Sequence, residues 1–152
     1  MADKVKFELV SPEKLVLSED VAMVVVPGGE GNFGVLPGHA LLISTVRSGV
    51  IDVYAQDQRA VTQRLFVSGG FAEVTPERCT ALAEEAVPSD ELDRATIEAE
   101  LRVAQGNLPS LREQVARAAD TERERLLIEL HGLERDHAIA LAKLQALAEA
   151  SR

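Results

Sequence analysis

The hydrophobic pattern changes period near Pro88, and no single type of secondary structure can satisfy both halves of the chain. Before Pro88 apolar residues alternate with polar ones. Val5, Phe7 and Leu9 share one face, with Lys4, Lys6 and Glu8 between them, and Val61, Leu65 and Val67 alternate with Thr62, Arg64 and Phe66. Val21–Val26 is apolar throughout, which suits a strand buried on both faces. Turn signals recur at Ser11-Pro12, Pro27-Gly28-Gly29, Pro37-Gly38, Ser48-Gly49, Gln56-Asp57-Gln58, Ser68-Gly69-Gly70 and Thr75-Pro76. Short strands at that spacing predict a β-sandwich or barrel. All the aromatic residues lie in this half.

After Pro88 the period becomes helical. Ser89 is placed to cap a helix, with Asp90, Glu91 and Asp93 in the first turn, where negative charge favours the helix dipole. Asp90 and Arg94, Glu98 and Arg102, and Glu113 and Arg117 have i,i+4 spacing. Gly106-Asn107 and Pro109 predict a kink or break. Thr121 and Glu124 have capping-box spacing after Asp120. Beyond them Leu126, Leu130, Leu133, His137, Ala140, Leu144 and Leu147 form one apolar stripe, with Arg123, Glu129, Arg135, Asp136 and Lys143 opposite. The expected architecture is α+β in two domains. Residues 1–87 form a β-sandwich, and residues 88–152 form an antiparallel helical hairpin.

Bulk properties exclude several function classes. The formal net charge of −9 argues against nucleic-acid binding. Cys79 is the single cysteine, so no intramolecular disulfide can form, and a small core side chain is expected there. The charged start Met1–Lys6 is followed by no long apolar stretch, which predicts no secretory signal. The longest apolar run is far too short to cross a bilayer.

No set of residues reads as an enzyme site. The histidines are His39, His131 and His137, and none stands in a catalytic motif. His137 falls on the apolar stripe and reads as a core residue, whereas His131 reads as solvated. There is no C-x-x-C or H-E-x-x-H for zinc. Gly29, Gly31 and Gly34 match G-x-G-x-x-G, but Val35-Leu36-Pro37-Gly38 cannot open the helix that a dinucleotide site needs, so they read as turn glycines. The arginines Arg94, Arg102, Arg112, Arg117, Arg123, Arg125 and Arg135 form either a solvated helix face or a surface for an acidic partner.

Three segments go beyond general sandwich grammar. Val26-Pro27-Gly28-Gly29-Glu30-Gly31-Asn32-Phe33-Gly34-Val35-Leu36-Pro37-Gly38-His39-Ala40 resembles the E-G-x-x-G-x-x-P-G-H-A signature of epsilon subunits of bacterial F-type ATP synthases. Val67–Val74 is similar to that family's S-G-G-x-x-E-V hairpin, and Ala81–Val87 to its closing L-A-x-x-A strand. The mitochondrial delta subunit shares the fold. The helical half matches in architecture more than in residues.

The resemblance implies a non-catalytic rotor-stalk subunit of the proton-translocating enzyme, peripheral on the cytoplasmic face of the bacterial inner membrane. Its β-domain would bind the gamma subunit and the c-ring, and it would touch the membrane through the complex alone. Glu30, Asn32 and His39 carry over to the c-ring contact. The helices would regulate by inhibiting ATP hydrolysis. Arg112, Arg117, Arg123 and Arg125 are head-contact candidates toward the catalytic beta and alpha subunits. Some relatives clamp ATP through I/L-D-x-x-R-A and a later arginine, which makes Asp93 and Arg102 regulatory or nucleotide candidates. This sequence departs from those patterns: Asn32 stands where some members have an acid, Leu41 replaces a frequent proline, and Thr96-Ile97 replace Arg-Ala. ATP sensing is therefore not expected, and no cofactor is implied. The stretch 107–119 reads as longer than the usual inter-helix turn. A rival reading is a free-standing ligand-binding β-sandwich whose helical tail dimerises through the 126–147 stripe.

Overall fold

The computed structural model describes residues 3–150. Strands β1 (Val5–Val10) to β8 (Arg78–Pro88) are followed by a 3₁₀ turn, Ser89–Glu91, and by helices α1 (Arg94–Arg117) and α2 (Asp120–Ala150). The chain divides into two compact units, Met1–Glu91 and Leu92–Arg152.

The first unit is an eight-stranded sandwich with the strand order β2-β1-β8-β7-β5-β3-β4, in which β6 bridges β3 and β7. The strands are β2 (Leu15–Val21), β3 (Met23–Gly28), β4 (Gly31–Val35), β5 (Leu42–Val46), β6 (Gly49–Tyr54) and β7 (Gln63–Val74). β1 runs parallel to β8, and every other pairing is antiparallel. β7 makes both layers possible. Its first half pairs with β6 and its second half with β5, while β8 follows it along both. The change of layer falls at Gly69 and Gly70, which have φ of +66° and +135°. A Cβ on Gly70 would meet the Leu82 carbonyl oxygen at 1.9 Å. Thus Ser68-Gly69-Gly70 is not the turn that its composition predicts. It is a bend inside a twelve-residue strand, where glycine lets two backbones approach.

The inward residues make one core. Val5, Phe7 and Leu9 meet Val24, Val26, Ile51, Val53, Leu65 and Val67, and all are fully buried. Burying each such side chain contributes about 1.5–3 kcal/mol. Cys79 belongs to this cluster, and burial pushes its thiol pKa up to about 12, so it is an inert core group.

Two strand expectations need correction. Val21–Val26 is not one doubly buried strand: the chain breaks at Ala22, leaving β2 to pair with β1 and β3 to pair with β4, β5 and β6. Apolar residues continue through the corner because Val21 and Ala22 stay buried while the chain changes partners. Phe66, expected on the polar face, is fully buried. Its register neighbours across the sheet are Val50 and Val87, so that face of β7 is apolar locally.

The second unit is an antiparallel helical hairpin joined at Ala118-Ala119. α1 buries Ile97, Ala104, Leu108 and Val115, spaced seven, four and seven residues apart. Leu108 and Val115 pack with Leu126 and Leu130 of α2, flanked by Leu111, Leu127 and Leu133. The predicted interruption at 106–109 does not occur, since α1 runs through Pro109. An interior proline costs about 3 kcal/mol. Leu108, Leu111 and Val115 bracket Pro109 in one apolar cluster, and its burial offsets that cost. The supposed long connection 107–119 therefore shrinks to two residues.

The helix starts also differ from expectation. Ser89 opens the 3₁₀ turn rather than capping α1, and the N-cap is Asp93. α2 begins at Asp120, and the Arg123 amide donates to the Ala119 carbonyl at 2.7 Å, so the 121–124 box is already inside the helix. Of the i,i+4 pairs, Glu113–Arg117 forms at 2.7 Å, whereas Arg94 pairs forward with Glu98 at 3.9 Å instead of back with Asp90. Leu126, Leu130 and Ala140 are buried, while His137 is half-buried and His131 exposed.

Candidate subunit-contact surfaces

Three exposed regions stand out on the surface of the chain. The first is the free edge strand β4. The register Gly28↔Gly31 leaves Gly29-Glu30 as a two-residue tip, with Glu30 exposed. Asn32 lies in β4 opposite Pro27. His39 follows the far end of β4, in a turn tied down by Gly38 N–H donating to the Pro76 carbonyl at 2.7 Å. Its Nδ1 sits 2.6 Å from the Ala40 carbonyl, an acceptor, so Nδ1 carries the proton. Glu30 and His39 are thus not neighbours. They stand at opposite ends of a strand about 17 Å long. The residues predicted for one contact form a line along one edge. Gly31 and Gly34 belong to that strand, so of the three motif glycines Gly29 alone is in the turn.

The second region escaped sequence reasoning. On the outward face of β5, β7, β8, β1 and β2, the register aligns Thr45, Phe71, Leu82, Val10 and Leu15 in one row. Ile43 is one pair further along β5. Ile43 is 75% exposed, Phe71 58%, Leu82 54% and Leu15 55%, so four large apolar side chains face water on one side of the sandwich. Polar neighbours frame them: Glu73 sits opposite Ile43, and Glu8 binds Arg78 at 3.2 Å. Such a row is a candidate interaction surface. The signal available in the sequence was apolar residues at positions that strand alternation assigns to solvent, Phe71 beside the buried Ala72 and Leu82 beside Ala81 and Ala83.

The third region is the helical hairpin. Arg112 reaches Glu134 across the two helices at 3.7 Å, Arg117 binds Glu113, and Arg125 lies within 3.6 Å of both Glu122 and Glu129. These three arginines already have acidic partners on the hairpin. Arg102 and Arg123 form no ion pair among the described residues. Asp93 accepts a hydrogen bond from the Thr96 hydroxyl at 2.5 Å, which holds its carboxyl below the usual carboxylate range. Arg102 lies nine residues on, about 13 Å along the helix, so the structure does not bring Asp93 and Arg102 together.

Among the described residues, no group of His, Cys, Asp and Glu is arranged to hold a metal ion, and no helix is long and apolar enough to cross a membrane. An open cleft is lined by Glu73, Thr75, Glu77, Arg78 and Thr80, a set without a nucleophile–base pair.

Comparison with known proteins agrees with the β-half signature. Residues 4–89 match the family model described as ATP synthase, Delta/Epsilon chain, beta-sandwich domain. The chain is 55% identical over 127 residues to the ATP synthase epsilon chain of Rhodospirillum centenum, covering 83% of this chain and 84% of that one. It is 43% identical over 148 residues to the ATP synthase epsilon chain of Maricaulis maris, covering 97% and 96%, so this similarity extends through the helices. In fold it resembles a chain in the cryo-EM structure of Euglena gracilis mitochondrial ATP synthase, OSCP/F1/c-ring in rotational state 1. The TM-score there is 0.66 at 23% identity, covering 100% of this chain and 84% of that one. The sandwich, the helical hairpin and these relatives together establish that the chain belongs to the ATP synthase epsilon chain family.

Proposed function

We propose that this chain works as a non-catalytic rotor-stalk subunit of a proton-translocating F-type ATP synthase, with its two units performing different tasks. The sandwich docks the gamma subunit through the Ile43, Phe71, Leu82 and Leu15 face, and meets the c-ring along the β4 edge through Glu30, Asn32 and His39. The helical hairpin slows ATP hydrolysis by engaging the catalytic beta and alpha subunits. The assembled complex places the chain on the cytoplasmic face of the inner membrane, held there by its partners.

The observation that carries this reading is the exposed apolar row on a sandwich that already has a complete core. A surface of that kind is stabilised by a protein partner. The rival, a ligand-binding sandwich with a dimerising tail, loses its seam, because α1 covers Leu126, Leu130 and Leu133 within the same chain. The arginines fit a brake that can be released. Exposed ion pairs are worth roughly 0–1 kcal/mol each, so carboxylates of a partner can replace Glu113 or Glu134 at little cost.

The test is affinity for purified gamma, measured by calorimetry with the wild type and with Phe71→Asp and Leu82→Asp. Each change puts a charge in the middle of the face and leaves the core intact. Binding should weaken at least tenfold, equivalent to about 1.4 kcal/mol. Unchanged affinity in both variants would place gamma elsewhere.

A further inference from the structure

Glu30 stands on a tip where three of four consecutive residues, Gly28, Gly29 and Gly31, are glycine. Glycine gives the backbone its widest choice of conformations, so this hairpin has little intrinsic stiffness. A carboxylate that must meet a partner at a fixed place needs support from outside the hairpin. The structure supplies it from the β5–β6 connection. The Arg47 guanidinium donates to the Gly28 carbonyl at 2.5 Å through Nη1, and to Asn32 Oδ1 at 2.6 Å through Nη2. Gly28 lies on β3 and Asn32 on β4, so one planar group ties both arms of the hairpin below its tip. The backbone completes the fastening: Arg47 N–H donates to the Pro27 carbonyl at 2.9 Å, and Gly29 N–H to the Thr45 carbonyl at 3.0 Å.

We infer that Arg47 is a positioning residue, a clamp that holds the Gly29-Glu30 tip in one orientation for the c-ring contact, and this rests on the ring reading proposed above. Arginine is required rather than a positive charge in general. Its fork reaches two acceptors at once, whereas a lysine ammonium on a flexible stem holds one at a time. The same bond assigns Asn32 a second duty. Its amide oxygen is turned to Arg47, so Asn32 serves the tip from within the edge strand, and Glu30 is left as the free charge at the end. Arg47→Ala keeps the backbone bond to Pro27 and touches no core residue, so it loosens the tip without unfolding the sandwich.

The experiment compares wild type, Arg47→Lys and Arg47→Ala, with Glu30→Ala as reference. In the full-length chain, amide exchange of Gly29 reports release from Thr45, and the backbone order parameter of Glu30 reports tip motion. In membranes stripped of this subunit and rebuilt at equal occupancy, ATP-driven proton pumping reports the contact. Arg47→Ala should speed Gly29 exchange about tenfold, as loss of charge-assisted bonds does. It should also take the Glu30 order parameter below about 0.6. Pumping should fall about as far as in Glu30→Ala, with Arg47→Lys intermediate in all three. Unchanged Gly29 exchange in Arg47→Ala overturns the clamp. A pumping loss with unchanged exchange also overturns it, because Arg47 would then touch the ring directly. If Glu30→Ala pumps normally, the ring reading fails instead. The exchange and order data then decide the clamp alone, a tenfold change supporting it and no change overturning it.

Discussion

At the residue scale, the side chains assigned to contacts are largely free of structural duty. Glu30 is exposed at a turn, and the His39 ring makes a single local bond to the next carbonyl. Glu30→Ala and His39→Ala should each change stability by less than about 1 kcal/mol, read as chemical denaturation midpoints. The pair together should weaken proton pumping in rebuilt membranes. Collapse of stability with normal pumping would make both residues structural.

Asp93 has a hydrogen-bond partner within the first turn of its own helix. It sits at the N-cap of α1 and takes the Thr96 hydroxyl as a partner, and its carboxyl pKa is lowered. A depressed folded-state pKa means that its contribution is present above the unfolded carboxyl pKa of about 3.9 and is lost as pH falls through the lower folded value. Amide protection factors at the start of α1, corrected for the intrinsic pH dependence of exchange, should therefore be steady from pH 7 to about 5 and fall below about 4, and Thr96→Val should remove most of that acid dependence. An identical pH profile in Thr96→Val would contradict the assignment. With Asp93 engaged by Thr96 and Arg102 about 13 Å further along the helix, Mg-ATP should bind the isolated chain weakly. Micromolar binding lost on Arg102→Ala would overturn this.

At the scale of elements, the sequence disclosed the kind of structure more readily than its breaks. Alternation identified the inward face of β1 because Val5, Phe7 and Leu9 meet one core. Helical period identified the Leu126–Leu130 seam for the same reason. The errors fell where one residue type serves two geometries. Ser68-Gly69-Gly70 has turn composition, yet its glycines bend a continuous strand, because the deciding contact is with Leu82, fourteen positions from Ser68 in sequence. Pro109 reads as a helix breaker, yet the apolar cluster around it outweighs the lost hydrogen bond. The candidate contact surfaces were legible unevenly. The β4 edge was marked by a family signature, whereas the Arg47 clamp depends on a pairing between residues 15 and 19 apart that no local pattern encodes.

The bend gives a sharp contrast between adjacent positions. Gly70→Ala meets both a positive φ and a carbonyl at 1.9 Å, and should cost roughly 3 kcal/mol or more. Gly69→Ala has a φ of +66° and, as its nearest neighbour, the Glu84 Cδ at 3.9 Å, and should cost about 1–2 kcal/mol. Urea midpoints of the two variants test the order. A reversed order would mean that the layers are joined elsewhere.

At the scale of the whole molecule, the division of labour is the main claim. The sandwich has a closed core, an apolar outward row and an edge line, whereas the hairpin has a modest seam and exposed, exchangeable ion pairs. On the proposed reading, docking and coupling belong to residues 1–91, and restraint of hydrolysis to residues 92–152. The most direct measurement compares membranes rebuilt with the full-length chain and with residues 1–91 at equal occupancy, following ATP hydrolysis and proton pumping together. The account predicts that the short chain assembles, keeps pumping coupled to hydrolysis, and hydrolyses ATP faster than the full-length complex. Equal hydrolysis rates, or assembly that fails without the helices, would contradict it.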